Sequence, residues 1–175
     1  MSWKTVPTIQ ADLLLAKELL YDSCGFECSL PKKEKESAEY GAYSFQLKNK
    51  SIVFRVAKIT PTKIGQFVTL WKRNGKGPIQ PLDFTDTIDF IVISVRKENC
   101  VGQFVFPKSV LCEKGIISTT TKEGKRAIRV YPPWDEAINK QAQKTQKWQL
   151  DYFLEIPSDE TVNIEDAKRL YDLYN

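Results

Sequence analysis

There is no histidine anywhere in the 175 residues of this chain. That absence closes off the Ser-His-Asp triad, the Cys-His dyad and every His-ligated metal centre. Cysteine is sparse too: Cys24, Cys28, Cys100 and Cys112 are the four present, and without an export signal they read as reduced thiols. Cys24 and Cys28 could be half of a zinc site, but no second close pair and no histidine completes it. Nucleotide cradles are missing, because neither a GxxxxGK(S/T) loop nor a GxGxxG after a strand occurs. No stretch approaches the roughly 18 to 20 apolar residues of a membrane span. The start, Met1-Ser2-Trp3-Lys4, has no signal-peptide pattern, so a cytoplasmic location is the expectation.

What is present is an ordinary globular balance, 42% hydrophobic and 27% charged, in a length that suits a single domain over residues 1–175. Apolar residues at helical spacing predict a first helix over 9–21, ending near Gly25 and Pro31. From residue 40 the pattern turns to short aromatic and β-branched runs, with strands expected over 42–47, 51–59 and 66–71. Residues 74–81 form a long turn-rich loop. The run Asp89-Phe90-Ile91-Val92-Ile93-Ser94-Val95 suits a strand covered on both faces, with 102–106 as its partner. A short helix after Pro107, a hairpin of 116–120 with 126–131, a long helix over 136–153 capped by Asp135, and a last helix over 164–173 complete the reading. That last helix carries Ile164, Ala167, Leu170, Tyr171 and Tyr174 on one apolar face. The expected fold class is α/β, more strictly α+β: a central mixed β-sheet flanked by helices, with long C-terminal helices.

Charge is segregated although the net is only +4. Between Gln46 and Lys76 stand Lys48, Lys50, Arg55, Lys58, Lys63, Lys72, Arg73 and Lys76, with no Asp or Glu among them. Local partners are absent, so this stretch predicts a positive surface field unless acids from elsewhere fold over it. Lys140, Lys144 and Lys147 form a second basic stripe along the predicted long helix, while acids gather after residue 155. Such cations suit a phosphate backbone, whose condensed counterions they release. The aromatics Tyr43, Phe45, Phe54, Phe67 and Trp71 read as core, with base stacking as the alternative. Trp134 could be a packed plug or a stacking platform.

A histidine-free catalytic route remains, the magnesium-dependent nuclease core with an Asp and a Glu-x-Lys on neighbouring strands. Asp89 and Lys108 have suitable places, yet Phe106 stands where the second acid belongs, and phenylalanine cannot bind magnesium. Gln46-Leu47-Lys48 and Glu123-Gly124-Lys125 are imperfect variants. Asp83 and Asp86 read as turn or cap residues.

Four stretches carry a resemblance: Phe54 through Arg73 (FRVAKITPTKIGQFVTLWKR), Gly102 to Lys108 (GQFVFPK), Arg129 to Asp135 (RVYPPWD) and Lys144 to Gln149 (KTQKWQ). With them the chain resembles the MepB family across nearly its whole length. The resemblance implies a fold akin to restriction endonucleases and Holliday-junction resolvases, and a setting beside a multidrug efflux pump and its repressor. It implies no established reaction.

The expectation is therefore a nucleic-acid-binding protein of nuclease-like fold that does not cut, with no cofactor. Arg55, Lys58, Lys63, Lys72, Arg73, Lys76, Lys144 and Lys147 are its expected contacts, Arg55 being partly buried and orienting the others. Two alternatives stand beside it. One is a magnesium-dependent nuclease using Asp89 and Lys108; the other is a protein-binding accessory of the efflux system.

Overall fold

In the computed structural model, which describes residues 2–173, the first amphipathic pattern becomes α1 (Ala11–Ala16) and continues into a π-helical turn (Lys17–Tyr21). Gln10 opens the helix by accepting hydrogen bonds at its side-chain oxygen from the backbone N–H groups of Asp12 and Leu13. Seven strands follow: β1 (Lys32–Lys33), β2 (Tyr43–Leu47), β3 (Lys50–Val56), β4 (Lys58–Ile59), β5 (Gln66–Thr69), β6 (Trp71–Arg73) and β7 (Ile79–Pro81). Then come β8 (Phe90–Lys97), β9 (Cys100–Pro107), α2 (Lys108–Glu113), β10 (Ala127–Val130), α3 (Lys140–Leu150), β11 (Phe153–Glu155) and α4 (Ile164–Leu170). No described helix is long and apolar enough to cross a membrane.

Six strands make one mixed sheet in the order β1-β2-β3-β8-β9-β11. Only β3 and β8 run parallel; the other neighbours are antiparallel. The apolar run is buried from Phe90 to Val95, and its two-residue period divides it between two cores. Phe90 and Val92 face Leu13, Leu20, Tyr21, Leu170 and Tyr171, so α1, the π turn and α4 cover that side. Ile91, Ile93 and Val95 face Val68, Leu70, Leu111, Ile128 and Val130. The second side is thus covered by α2 together with a three-stranded sheet, β10-β5-β4. A parallel pair cannot be joined by a tight turn. Here the connection from β3 to β8 is built from β4 to β7 rather than from a helix, and this lays the small sheet over the large one. Gly102 permits close packing, since a Cβ there would collide with the Phe153 ring of β11.

The C-terminal third departs from the expected pattern. The helix predicted over 136–153 is confined to 140–150 and is capped by Asn139, whose side chain accepts from the N–H of Ala142. Asp135 is buried and binds Lys97 at 3.1 Å instead. The chain then leaves the helix because Phe153 to Glu155 pair with Phe104 to Gly102. The long C-terminal helices are therefore short ones. The expected 116–120 strand is replaced by irregular chain with a single bridge, Ser118 to Asp83, because β10 pairs with β5 instead. The last helix stops at Leu170, and Tyr174 lies outside the described residues. Trp134 is half-buried and edge-on to Phe153 at 5.7 Å, a packed plug.

The first core holds a polar cluster. The hydroxyls of Tyr21 and Tyr171 lie 2.9 Å apart, and Tyr171 donates to the Gln103 side chain. Burial pushes the nearby Cys28 thiol up to about 12 and raises both tyrosine hydroxyls above their ordinary range. The native state keeps protons that the unfolded chain releases from about pH 9 upward, so stability falls as pH rises through that range. The urea midpoint is accordingly expected to drop between about pH 8 and pH 11, and Cys28→Ala should flatten part of that fall.

Candidate functional site

The acid-free stretch does not remain uncompensated once folded. Pairing of β1 with β2 (Lys32 opposite Ser44) lays residues 34–40 across β3 and its neighbours. Three glutamates of this strap meet three of the expected cations. Glu34 binds Arg55 at 2.7 Å, Glu36 binds Arg73 at 3.3 Å and Glu39 approaches Lys58 at 3.7 Å. Asp86 takes Lys72 with both oxygens, at 2.7 and 2.8 Å, and Asp172 stands 3.8 Å from Lys50. The cavity of about 810 Å³ between strap and sheet is lined by Glu34, Glu36 and Asp86 as well as by Lys32, Lys33, Lys35, Arg55, Lys72 and Arg73. The expected field of unopposed charge is therefore corrected: the partners come from the segment just upstream, from the turn before β8 and, for Lys50, from Asp172 after α4.

Arg55 differs from the rest of this group. Its side chain is 2% exposed, donates from Nη1 to Glu34 and to the Phe54 carbonyl, and leaves Nε without a partner. Burial lowers its pKa, and Glu34 opposes that shift. It sits too deep to touch a surface ligand, and it holds the strap down.

Four expected contacts, Lys63, Lys76, Lys144 and Lys147, are exposed and make no ion pair among the described residues. Lys76 sits in the turn between β6 and β7, away from the others in the chain. Lys63 joins a different constellation. It lines two adjoining cavities, of about 530 and 410 Å³, bounded by β5, β10 and α3. Lys114, Lys125 and Arg129 contribute the other cations, and no described carboxylate lines either space. The helix presents Gln141, Ala142, Thr145, Trp148 and Gln149, residues that helical spacing puts on one face. Lys144 flanks that face and Lys147 lies on the opposite one.

Side-chain amides fix the walls. Gln149 donates to the Arg129 carbonyl at 2.9 Å and accepts from the Tyr131 N–H at 2.8 Å, which satisfies the free edge of β10. Gln146 donates to the carbonyls of Pro132 and Asp135 and so fastens the Pro132-Pro133 turn. Arg129 is half-buried without a carboxylate: it donates to the carbonyls of Ile64 and Gly65 and to the Thr60 hydroxyl at 2.7 Å. Its charge stays uncancelled, 6.0 Å from the centre of the Phe67 ring. Gly65 has φ +80°, and a Cβ there would lie 2.7 Å from the Tyr131 ring, so only glycine lets that ring close the floor. Lys114 has only its chain neighbour Glu113 at 3.7 Å and lies 5.5 Å over the Trp148 ring.

Sequence reasoning missed Lys114, Lys125, Arg129 and Tyr131. A local signal existed in Lys122, Lys125, Arg126 and Arg129, but Glu123 stands among them and pairs with Arg126 at 3.1 Å.

The nuclease-like arrangement has a different character. Asp89 accepts from the Ser51 N–H at 2.7 Å, and its carbonyl accepts from the Lys108 N–H at 3.0 Å, so the two residues are neighbours. The Lys108 ammonium, however, donates to the carbonyls of Phe84 and Asp86. Phe106 is fully buried and stacks on Phe104 at 5.3 Å and against Trp148. Asp83 accepts from the Thr85 hydroxyl and N–H, which lower its pKa, and Asp86 accepts from the Asp83 N–H. These acids do turn and ion-pair work. Among the described residues no three Cys, Asp or Glu side chains converge as a metal-binding group.

Comparison with known proteins gives a consistent relationship. The family profile described as MepB-like matches residues 34–155. A crystal structure of MepB is 36% identical, covers 88% of this chain and 100% of its own, and superposes with a TM-score of 0.74. A bacterial homing endonuclease structure aligns over 82% of this chain and 91% of its own, at 14% identity and a TM-score of 0.40. No curated protein matches significantly.

The two kinds of ion pair in the strap should separate on mutation. Glu34→Ala leaves the buried Arg55 charge unmatched and is expected to cost about 3 kcal/mol. Glu36→Ala removes a partly exposed pair and is expected to cost below about 1 kcal/mol. Urea denaturation checks both; equal shifts would mean that Arg55 is satisfied elsewhere.

Proposed function

The chain belongs to the MepB-like family, and from that premise we propose that it binds nucleic acid by the phosphate backbone, without cutting it, in the groove between β10 and α3. The observation that carries this reading is the acid-free lining of Lys63, Lys114, Lys125 and Arg129. Lys63, Lys125 and Arg129 have no ion-pair partner among the described residues and Lys114 has only its neighbour Glu113 at 3.7 Å, so the lining keeps a positive potential that salt screens, whereas the Lys72–Asp86 and Arg73–Glu36 pairs nearly cancel at a distance. The binding surface is thus centred on Lys63 and Arg129, with Lys144 at its border, rather than on Lys72 and Arg73. A cytoplasmic location and an accessory role beside a multidrug efflux pump, both implied earlier, belong to this reading; they concern where the binding is used, not its chemistry.

Magnesium-dependent cleavage receives no support from the geometry at Asp89 and Lys108. A phenylalanine ring packed into the core occupies the second acid's position, and the lysine is spent on backbone carbonyls.

Affinity should fall with salt at a log–log slope of about −0.9 per phosphate neutralised on duplex DNA, so three or four contacts give about −3 to −4. The double variant Lys63→Glu/Lys125→Glu is expected to lose more than about tenfold in affinity and about two units of that slope. Lys147→Glu, on the far face of α3, should stay near the parent value. Fluorescence anisotropy at two salt concentrations measures all three, and an unchanged Kd in the double variant would exclude this groove.

A further inference from the structure

The cavity between strap and sheet is ill suited to a polyphosphate, because Glu34, Glu36 and Asp86 stand in its lining. Its floor nevertheless holds an unanswered donor. Strand alternation puts Ser44, Gln46, Ser51, Val53 and Arg55 on the face of β2 and β3 that lines this space. Both bonds of the deeply buried Arg55 leave from Nη1, and Nε has no partner. A guanidinium grips a carboxylate with two parallel bonds along one edge, from Nε to the farther terminal nitrogen. That edge is open here. Buried donors are nearly always paired, so one left vacant against a cavity marks the place of a missing acceptor. We infer that this cavity binds a small aromatic monocarboxylate, with its carboxylate on Arg55 and its ring among Trp71, Leu82 and Leu30. The inference needs neither nucleic acid nor the groove between β10 and α3.

Charge sets the class of ligand. Asp86 takes Lys72 and Glu36 takes Arg73, which leaves Arg55 as the cation of the inner lining with spare bonding capacity. A single negative group matches that supply, whereas a polyanion would meet three carboxylates. Lys32, Lys33 and Lys35 line the same cavity, are exposed and make no ion pair among the described residues. They attract an anion without fixing it. The walls set the body of the ligand. Val53, Leu82 and Ile88 are buried apolar side chains of the lining, and Leu30 beside them is left 38% exposed. Trp71 is half-buried and offers a ring against which a flat partner packs. The volume of about 810 Å³ lies within the range of small-molecule sites, roughly 300 to 1,000 Å³. Glu34 is the competitor for the guanidinium. Its side chain is 28% exposed and yields to a two-oxygen acceptor, while its backbone N–H stays bonded to the Ala42 carbonyl at 2.9 Å. Farther along the strap, the Ser37 hydroxyl accepts from Thr69 at 2.7 Å. The cavity therefore keeps its shape as one side chain turns, and little ordering opposes binding.

The test is titration calorimetry on the full chain with naphthoate and with the neutral naphthylmethanol. Naphthoate is expected to bind at least about tenfold tighter than the alcohol, since a hydrogen bond to a charged group is worth about 10- to 150-fold in affinity. Arg55→Lys keeps the charge but loses the two-pronged edge, and should weaken naphthoate by about tenfold. Trp71→Ala, at a half-buried wall position, should weaken it about fivefold. Glu34→Gln removes the competing carboxylate and should do the opposite, tightening naphthoate about threefold. Saturating naphthoate should accordingly raise the urea midpoint of Glu34→Gln more than that of the parent. If a substitution at Arg55 or Glu34 prevents folding, Trp71→Ala and the comparison of acid with alcohol decide. Absence of saturable heat with naphthoate, equal affinity for acid and alcohol, or unchanged affinity in Trp71→Ala would overturn the inference.

Discussion

From Phe90 to Val95, strand β8 has no face toward water, and most of the architecture follows from that constraint. Its side chains divide between two cores, so something must cover each side of the large sheet. Its parallel neighbour β3 also cannot reach it by a hairpin. The chain meets both demands with one device: the connection itself is made of strands, which pack over Ile91, Ile93 and Val95 as a second sheet. That connection is also the basic stretch. The requirement to bury β8 thus decides where the cations go, and it brings β5 beside β10, where the groove opens.

Electrostatics then sorts those cations into two populations. The strap carrying Glu34, Glu36 and Glu39 lies on the part of the basic stretch nearest β3, and it neutralises or buries what it touches. Beyond its reach, Lys63 is exposed without an ion pair among the described residues, and Arg129 donates to two carbonyls and a hydroxyl but to no carboxylate. Pairing energy between exposed ions is small, below about 1 kcal/mol, yet its effect on the distant field is large, because a matched pair is only a dipole. A count of basic residues along the chain therefore overstates the positive surface on one side and misses it on the other.

The nuclease-type pattern read from Asp89 and Lys108 is similarly divided. Asp89 and Lys108 stand at the ends of adjacent strands, as an acid and a lysine do in a cleaving enzyme. The position between them belongs to Phe106, whose ring stacks with Phe104 and Trp148 and closes the core under α3. Hydrophobic packing has taken over a place that catalysis would need, and the same Trp148 forms part of the groove wall on its other side. Stability of the core and shape of the groove are thereby carried by one aromatic cluster.

Much was legible from the residues alone. Runs of aromatic and β-branched residues located β2, β5, β8 and β9 within about two residues, because such runs are a local pattern, whereas the strand expected over 51–59 is divided into β3 and β4. Absence of histidine, the place of Phe106 and the family strings were equally local. Helix α3 was misjudged at both ends, since Asp135 is as good a cap as Asn139 until Lys97, from a strand about 40 residues earlier, claims its carboxylate. Charge compensation and the groove were beyond reach for the same reason. Lys63, Lys114 and the Lys125/Arg129 pair come from three separated segments, and Coulomb pairing acts over a few ångströms of space whatever the distance along the chain. Sequence by itself determined where the long central strands run and which charges exist; only the tertiary structure decided where the short strands pair, which of those charges meet a partner and which are left to face a ligand.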